Sequence, residues 1–220
     1  MGVPTKQQGA DVPRGVFVAF EGGDGAGKST QANTLADELT SAGFEVVRTR
    51  EPGGTPAAEA IRAVVLTPDY AGLDPRAEAL LFAAARSEHV SRLIAPALAR
   101  GAIVICDRYV DSSIAYQGVA RGLGVDVVTE INMWATGGLL PDLTVLLDVD
   151  ANAGLERATD PNRLEDEPES FHAAVVEAFR QLAAAQPDRY LVISAAQSRT
   201  AIADVVLEHV RGLLAARSVL

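Results

Sequence analysis

Five short apolar runs punctuate the chain, each bounded by polar or glycine-rich residues. They are "GVFVAFE" (15–21), "FEVVRTR" (44–50), "AIVICD" (102–107), "LTVLLDV" (143–149) and "RYLVIS" (189–194). They are mostly continuous rather than alternating, as expected of strands covered on both faces. Between them apolar residues recur at helical spacing. Ala32, Leu35, Ala36, Leu39 and Ala42 form one such stripe, and Gly43 ends it. Thr55-Pro56 reads as an N-cap with proline at the first helical position. Residues 75–100 are rich in Ala and Leu and read as a helix, with Pro96 as a kink or break. Further helices are expected over 166–184 and along the stripe Ile202, Val205, Val206, Val210 and Leu213. Strands alternating with helices predict an α/β fold, a five-stranded parallel sheet flanked by helices.

The chain has 220 residues, enough for one sizeable core, and residues 15–220 read as a single domain. Residues 1–14 have no apolar core and read as a disordered lead-in. Residues 157–170, "RATDPNRLEDEPES", are charged and proline-bearing, and read as a short lid. The formal net charge of -10 argues against non-specific binding to nucleic acid or to an anionic membrane. No apolar stretch approaches the ~20 residues of a membrane span. The single cysteine, Cys106, lies in an apolar run and reads as a small buried hydrophobe, and a chain with one cysteine reads as cytoplasmic. No pair of Cys or His suggests zinc; His172 and His209 lack ligand spacing, and His89 reads as structural. Trp134 reads as core or interface.

One stretch carries explicit chemistry. Gly22-Gly23-Asp24-Gly25-Ala26-Gly27-Lys28-Ser29-Thr30 follows a strand and opens a helix, and it fits G-x-x-x-x-G-K-[ST]. Glycines let backbone N–H groups turn inward around phosphate oxygens, and the helix N-terminus adds positive potential. Lys28 can reach the β- and γ-phosphates, and the Ser29 hydroxyl can ligate Mg²⁺. The ligand is therefore a nucleoside triphosphate, ATP. Asp107 ends the third apolar run, where a carboxylate is placed to hold the metal. Arg108 follows it, and Arg50 ends the second run. Two guanidiniums at neighbouring strand tips suggest a second phosphate-bearing ligand. Phe82 and Arg86, four apart on one helix face, could stack on and hydrogen-bond a nucleobase; spacing alone favours a core Phe beside a surface Arg.

Together "EGGDGAGKST" (21–30), "REPGGT" (50–55), "LLFAAARSEHV" (80–90), "DRYVDSSIAYQG" (107–118), "PDLTVLLDV" (141–149) and "RLEDE" (163–167) resemble the thymidylate kinase family of P-loop nucleoside monophosphate kinases. The resemblance implies a P-loop NTPase-type sheet, transfer of a phosphoryl group from ATP to dTMP, Mg²⁺ and a homodimer. It implies that Phe82 stacks on thymine and Arg86 bonds its exocyclic oxygen, with Ser113 and Gln117 also at the base. Tyr116 would crowd the sugar's 2′ position and Asp24 would meet the 3′-hydroxyl. Arg50 and Arg108 would hold the acceptor phosphate, and Arg157 would lie against adenine. The sequence departs from the family pattern at "NRLE" (162–165), at Ser194-Ala195, and in pairing Gly25 with a lid offering only Arg157 and Arg163. Arg163 is the expected transition-state arginine, and Glu165 is either a helper to Mg²⁺ or part of a solvated acidic face. The rival readings are a kinase for dUMP, UMP or a deoxynucleoside, and a non-catalytic nucleotide-binding homologue. A guanine-nucleotide switch lacks its N-K-x-D sequence.

Overall fold

The computed structural model describes residues 15–150 and 163–218. The lead-in expected over 1–14, Arg157 and the first part of the lid lie outside the described residues. The five expected strands are all present: β1 (Phe17–Glu21), β2 (Val46–Arg50), β3 (Ile103–Asp107), β4 (Leu143–Asp148) and β5 (Tyr190–Ser194). They form one parallel sheet in the order β2-β3-β1-β4-β5.

Alternation along β1 explains the continuous apolar run. Val16, Val18 and Phe20 pack into one core with α1 (Lys28–Ser41) and the C-terminal helix α8 (Arg199–Ser218). Phe17 and Ala19 pack into a second core on the opposite face, with Val104, Cys106 and Tyr109. Successive side chains point to opposite faces, so a strand covered twice has no solvent side to make polar. Burying each large side chain contributes roughly 1.5–3 kcal/mol. Cys106 is fully buried, as read from its surroundings, and burial pushes its thiol well above the ordinary range.

Local signals behave as physics requires. In α1 the chain stops where Gly43 adopts φ +91°, and its N–H returns to the Thr40 carbonyl. Thr55 accepts from the Ala58 N–H at 3.3 Å and caps α2 (Pro56–Leu66). The helix expected over 75–100 is broken into α3 (Pro75–His89), a wide π turn over Val90–Ile94, and α4 (Ala95–Ala99). Pro96 has no N–H to return to the preceding turn, and the widened turn lies directly before it.

The periodicity did not announce residues 110–136. They form α5 (Val110–Ser113), a second π segment (Ile114–Ala120) and α6 (Val125–Thr136). The first two are buried almost throughout, and a segment buried all round shows no amphipathic stripe. The helix α7 (Glu169–Ala185) then leads back to β5. Trp134, on α6, is 85 % exposed, which removes it from the core.

Candidate active site

In register, Phe20 and Arg50 both lie opposite Asp107, so the carboxyl tips of β1, β2 and β3 end together. Here β1 passes its chain to α1, with β3 on one side and β4 on the other. Strand order reverses at this point, which is where open α/β sheets bind ligands. A cavity of about 790 Å³ opens at this edge.

The phosphate loop bends through Gly22 (φ +138°), Gly25 (φ +68°) and Gly27 (φ +90°). A Cβ at Gly22 would also lie 2.4 Å from the Leu147 carbonyl oxygen, so no other residue fits there. Lys28 is buried and donates to the Gly23 carbonyl at 2.6 Å. Burial, with Arg108 adding to it, lowers the Lys28 ammonium to about 8. The Ser29 hydroxyl donates to Asp107 at 2.5 Å. Two hard oxygen donors from the loop and the neighbouring strand suit Mg²⁺.

Arg108 occupies a left-handed conformation at φ +68°, uncommon for a non-glycine residue. That turn aims its guanidinium back over the loop. It donates to the Gly22 carbonyl (3.1 Å), the Ser112 hydroxyl (3.1 Å) and Asp24 (2.5 Å), and lies over the Tyr116 ring. The turn is held by Glu21, which accepts from the N–H groups of Tyr109 (2.7 Å) and Ser112 (3.2 Å) and from the Ser112 hydroxyl (2.6 Å). Burial, then repulsion from Asp111, pushes the Glu21 carboxyl up to about 7. Asp24 behaves oppositely. Burial alone would raise it, but Arg108, Lys28 and the Tyr116 hydroxyl (2.8 Å) outweigh that and hold it below the usual carboxylate range.

Phe82, Arg86, Ser113 and Gln117 also line the cavity. Arg86 is 2 % exposed, not the surface arginine that helical spacing favoured. Its Nε donates to Glu51 (2.6 Å), Nη1 to Ser113 (2.9 Å) and to Asn132, and Nη2 to the Tyr109 carbonyl (2.9 Å). A guanidinium carries five N–H bonds. These contacts use four, and one on Nη2 is left for a ligand acceptor. Glu51 also receives His89 Nδ1 at 2.9 Å, and His89 Nε2 lies 2.7 Å from Thr49, so His89 is a strut. Arg50 is half exposed, lines the cavity, and pairs with Glu59 at 3.0 Å.

Arg163, expected to stabilise the transition state, meets other partners in this structure. It is buried, donates to the Val65 carbonyl at 3.1 and 2.8 Å, and pairs with Glu78 at 2.7 Å. A guanidinium this buried needs a carboxylate beside it, and Glu78 supplies one. Leu164 and Glu165 do line the cavity. So do Ala195, Gln197 and Ile202, beyond the tip of β5.

Sequence reasoning missed the carboxylates and amide that hold these groups. Glu21 and Glu51 sat inside quoted motifs, each beside a strand tip, and that adjacency was a usable signal. Glu78, Asn132 and Arg189, which pairs with Asp111 at 2.9 and 3.0 Å, had no local signal. Each meets its partner from a distant part of the chain.

Phosphate loop, strand-tip Asp107, two arginines and the side chains of Phe82 and Arg86 lining one cavity define the class of P-loop phosphotransferases acting on small nucleotides. The comparisons narrow the class. The family pattern described as thymidylate kinase matches residues 20–206, and the chain belongs to that family. It is 49 % identical over 200 residues to the thymidylate kinase of Cutibacterium acnes, covering 91 % of this chain and 98 % of that one. It is 50 % identical to that of Clavibacter michiganensis over 206 residues, with 92 % and 97 % covered. The crystal structure of thymidylate kinase from Ehrlichia chaffeensis superposes with a TM-score of 0.77 at 33 % identity, covering 90 % of this chain and all of that one.

Proposed function

We propose that this chain transfers the γ-phosphoryl group of ATP to dTMP, giving dTDP. The observation that carries the reading is one cavity lined by Lys28 and Ser29 of the phosphate loop, by Arg50 and Arg108, and by Phe82, Arg86 and Gln117. That lining suits a triphosphate and a nucleoside monophosphate meeting phosphate to phosphate.

The acceptor phosphate, with a second pKa near ~6, is already ionised at neutral pH. It needs no general base. Catalysis reduces to alignment and stabilisation of charge on the transferring group. Backbone N–H groups of Gly22–Thr30 cradle the donor phosphates, and Lys28 follows the γ-phosphate. Arg50 and Arg108 hold the acceptor phosphate, and Asp24, tied to both Arg108 and Tyr116, receives the 3′-hydroxyl. The Tyr116 hydroxyl stands on the sugar's 2′ side and disfavours ribose. Ser29 and Asp107 would hold Mg²⁺, which when bound neutralises charge on the β- and γ-oxygens. Phe82 stacks on the base, the remaining Arg86 N–H bonds its exocyclic oxygen, and Ser113 and Gln117 complete base recognition. Arg157 remains the family-implied neighbour of adenine. Arg163 is better supported as a clasp between α2, α3 and the lid than as a transition-state group.

We further propose a cytoplasmic homodimer. Among the described residues no helix is long and apolar enough to cross a membrane. Leu80 on α3 and Trp134 on α6 are 57 % and 85 % exposed on helices that pack together, and such apolar exposure suits an interface. Sedimentation of Trp134→Glu should shift the population toward monomer; an unchanged dimer would remove this face from the interface.

The first measurement is ADP release from ATP and Mg²⁺ with dTMP, dUMP, UMP, CMP, GMP and AMP offered separately. A strong preference for dTMP is expected. Turnover with another acceptor only would overturn the base reading, and ATP binding without turnover would mark a non-catalytic homologue.

A further inference from the structure

Glu78 does not itself line the cavity, yet it is bonded to Gln117, which does. It lies on α3, 0 % exposed, and gathers three donors from two distant segments, the π segment with its cap and the lid. Gln117 donates through Nε2 at 2.9 Å, Arg121 through Nε at 3.3 Å, and Arg163 through Nη1 at 2.7 Å. Arg121 also pairs with Glu167 at 2.6 Å.

The two ends of a glutamine amide are of similar size, so packing alone does not choose between them. Chemistry does. An ionised carboxylate only accepts, so the amide must turn its N–H₂ toward Glu78. Its carbonyl oxygen, which has no protein partner among the described residues, is then the group left for the cavity that Gln117 lines. Arg86 lines the same cavity and keeps one N–H that its four contacts do not use. The site thus offers one donor and one acceptor. Thymine and uracil present the matching pair, an exocyclic O4 that accepts and an N3–H that donates. Cytosine presents the inverse, an N4 amino donor and an N3 acceptor.

We propose that Glu78 is a specificity-determining positioning residue: by fixing the Gln117 amide it makes the acceptor pocket read N3–H and reject cytosine. The inference rests on dTMP being the acceptor bound at Phe82, Arg86 and Gln117. With Glu78→Gln the partner amide can accept as well as donate, the Gln117 amide is free to turn over, and the acceptor facing N3–H is lost for part of the population.

The test is kcat/KM for dTMP and for dCMP with four proteins: wild type, Glu78→Gln, Arg121→Gln, and the swap Glu78→Gln with Gln117→Glu. Glu78→Gln should lower the dTMP-to-dCMP ratio by about tenfold or more, chiefly through a raised KM for dTMP. Arg121→Gln removes a charge from the same carboxylate without touching the amide, and should change the ratio by less than about twofold. The swap keeps one carboxylate among the arginines and returns an accepting oxygen to the cavity, so it should restore preference for dTMP. A folded Glu78→Gln protein with the wild-type ratio overturns the proposal. So does an equal fall in Arg121→Gln, or a swap that prefers dCMP. Should Glu78→Gln fail to fold, Glu78→Asp, which keeps the charge but shortens the reach to Gln117 Nε2, takes its place: a lowered dTMP-to-dCMP ratio is expected, and an unchanged one overturns the proposal. A wild type that does not use dTMP at all is a different result, and overturns the acceptor reading instead.

Discussion

Lys28 offers a direct reading of the phosphate loop through its proton. Buried against Arg108, it has a pKa lowered from 10.5 to about 8. Phosphate oxygens brought beside it favour the ammonium form and should return the pKa to its ordinary range or above. Binding of ATP must then draw in a proton whenever the free protein has lost it. With pKa values of about 8 free and ~10.5 or higher bound, uptake is about 0.1 proton at pH 7, about 0.5 at pH 8 and about 0.9 at pH 9. The linked affinity for ATP falls by about tenfold between pH 7 and pH 9. The terminal phosphate, with a pKa near ~6, is ionised throughout this window and adds little. Isothermal titration in buffers of different ionisation enthalpy reads the uptake directly. Lys28→Arg keeps the charge but does not titrate here, so its uptake should be flat with pH whatever its overall affinity. Wild-type uptake no larger than that of Lys28→Arg at pH 8 to 9 would refute the linkage, and with it the lowered pKa.

Two further outcomes follow from buried carboxylates. Glu51→Gln leaves the Arg86 guanidinium buried without its charge partner, and should destabilise the fold by ~3–5 kcal/mol in urea unfolding; a loss under ~1 kcal/mol would show that the pair is not holding the recess. Glu21, raised from 4.5 to about 7, keeps its proton in the folded state where the unfolded chain has released it. Its contribution is fully present below pH 4.5 and is lost as pH rises through 7. Wild type should therefore lose about 3 kcal/mol relative to Glu21→Gln across that window, measured as the difference between their unfolding free energies; parallel curves would contradict it.

Much of this protein could be read from its sequence because the relevant physics is local. Strands buried on both faces must be apolar throughout, so all five runs appeared as strands within a residue or two at each end. The phosphate loop needs glycine where φ is positive, and a helix directly after it, so the motif carried its own conformation. Pro96 announced a break because it lacks an N–H, although only the structure gave that break the form of a π turn over residues 90–94. Burial is different, since it depends on what arrives from elsewhere in the chain. Phe82 and Arg86 are one helical turn apart, but Arg86 is buried at the cavity only because Glu51, Ser113 and Asn132 close around it. Arg163 had no partner that its own stretch of sequence could reveal; the structure sets it beside Val65 and Glu78. Local sequence determined strands, turns and the phosphate loop, because backbone conformation responds to near neighbours. Tertiary structure alone decided which charges face each other, because a buried charge is defined by partners tens of residues away.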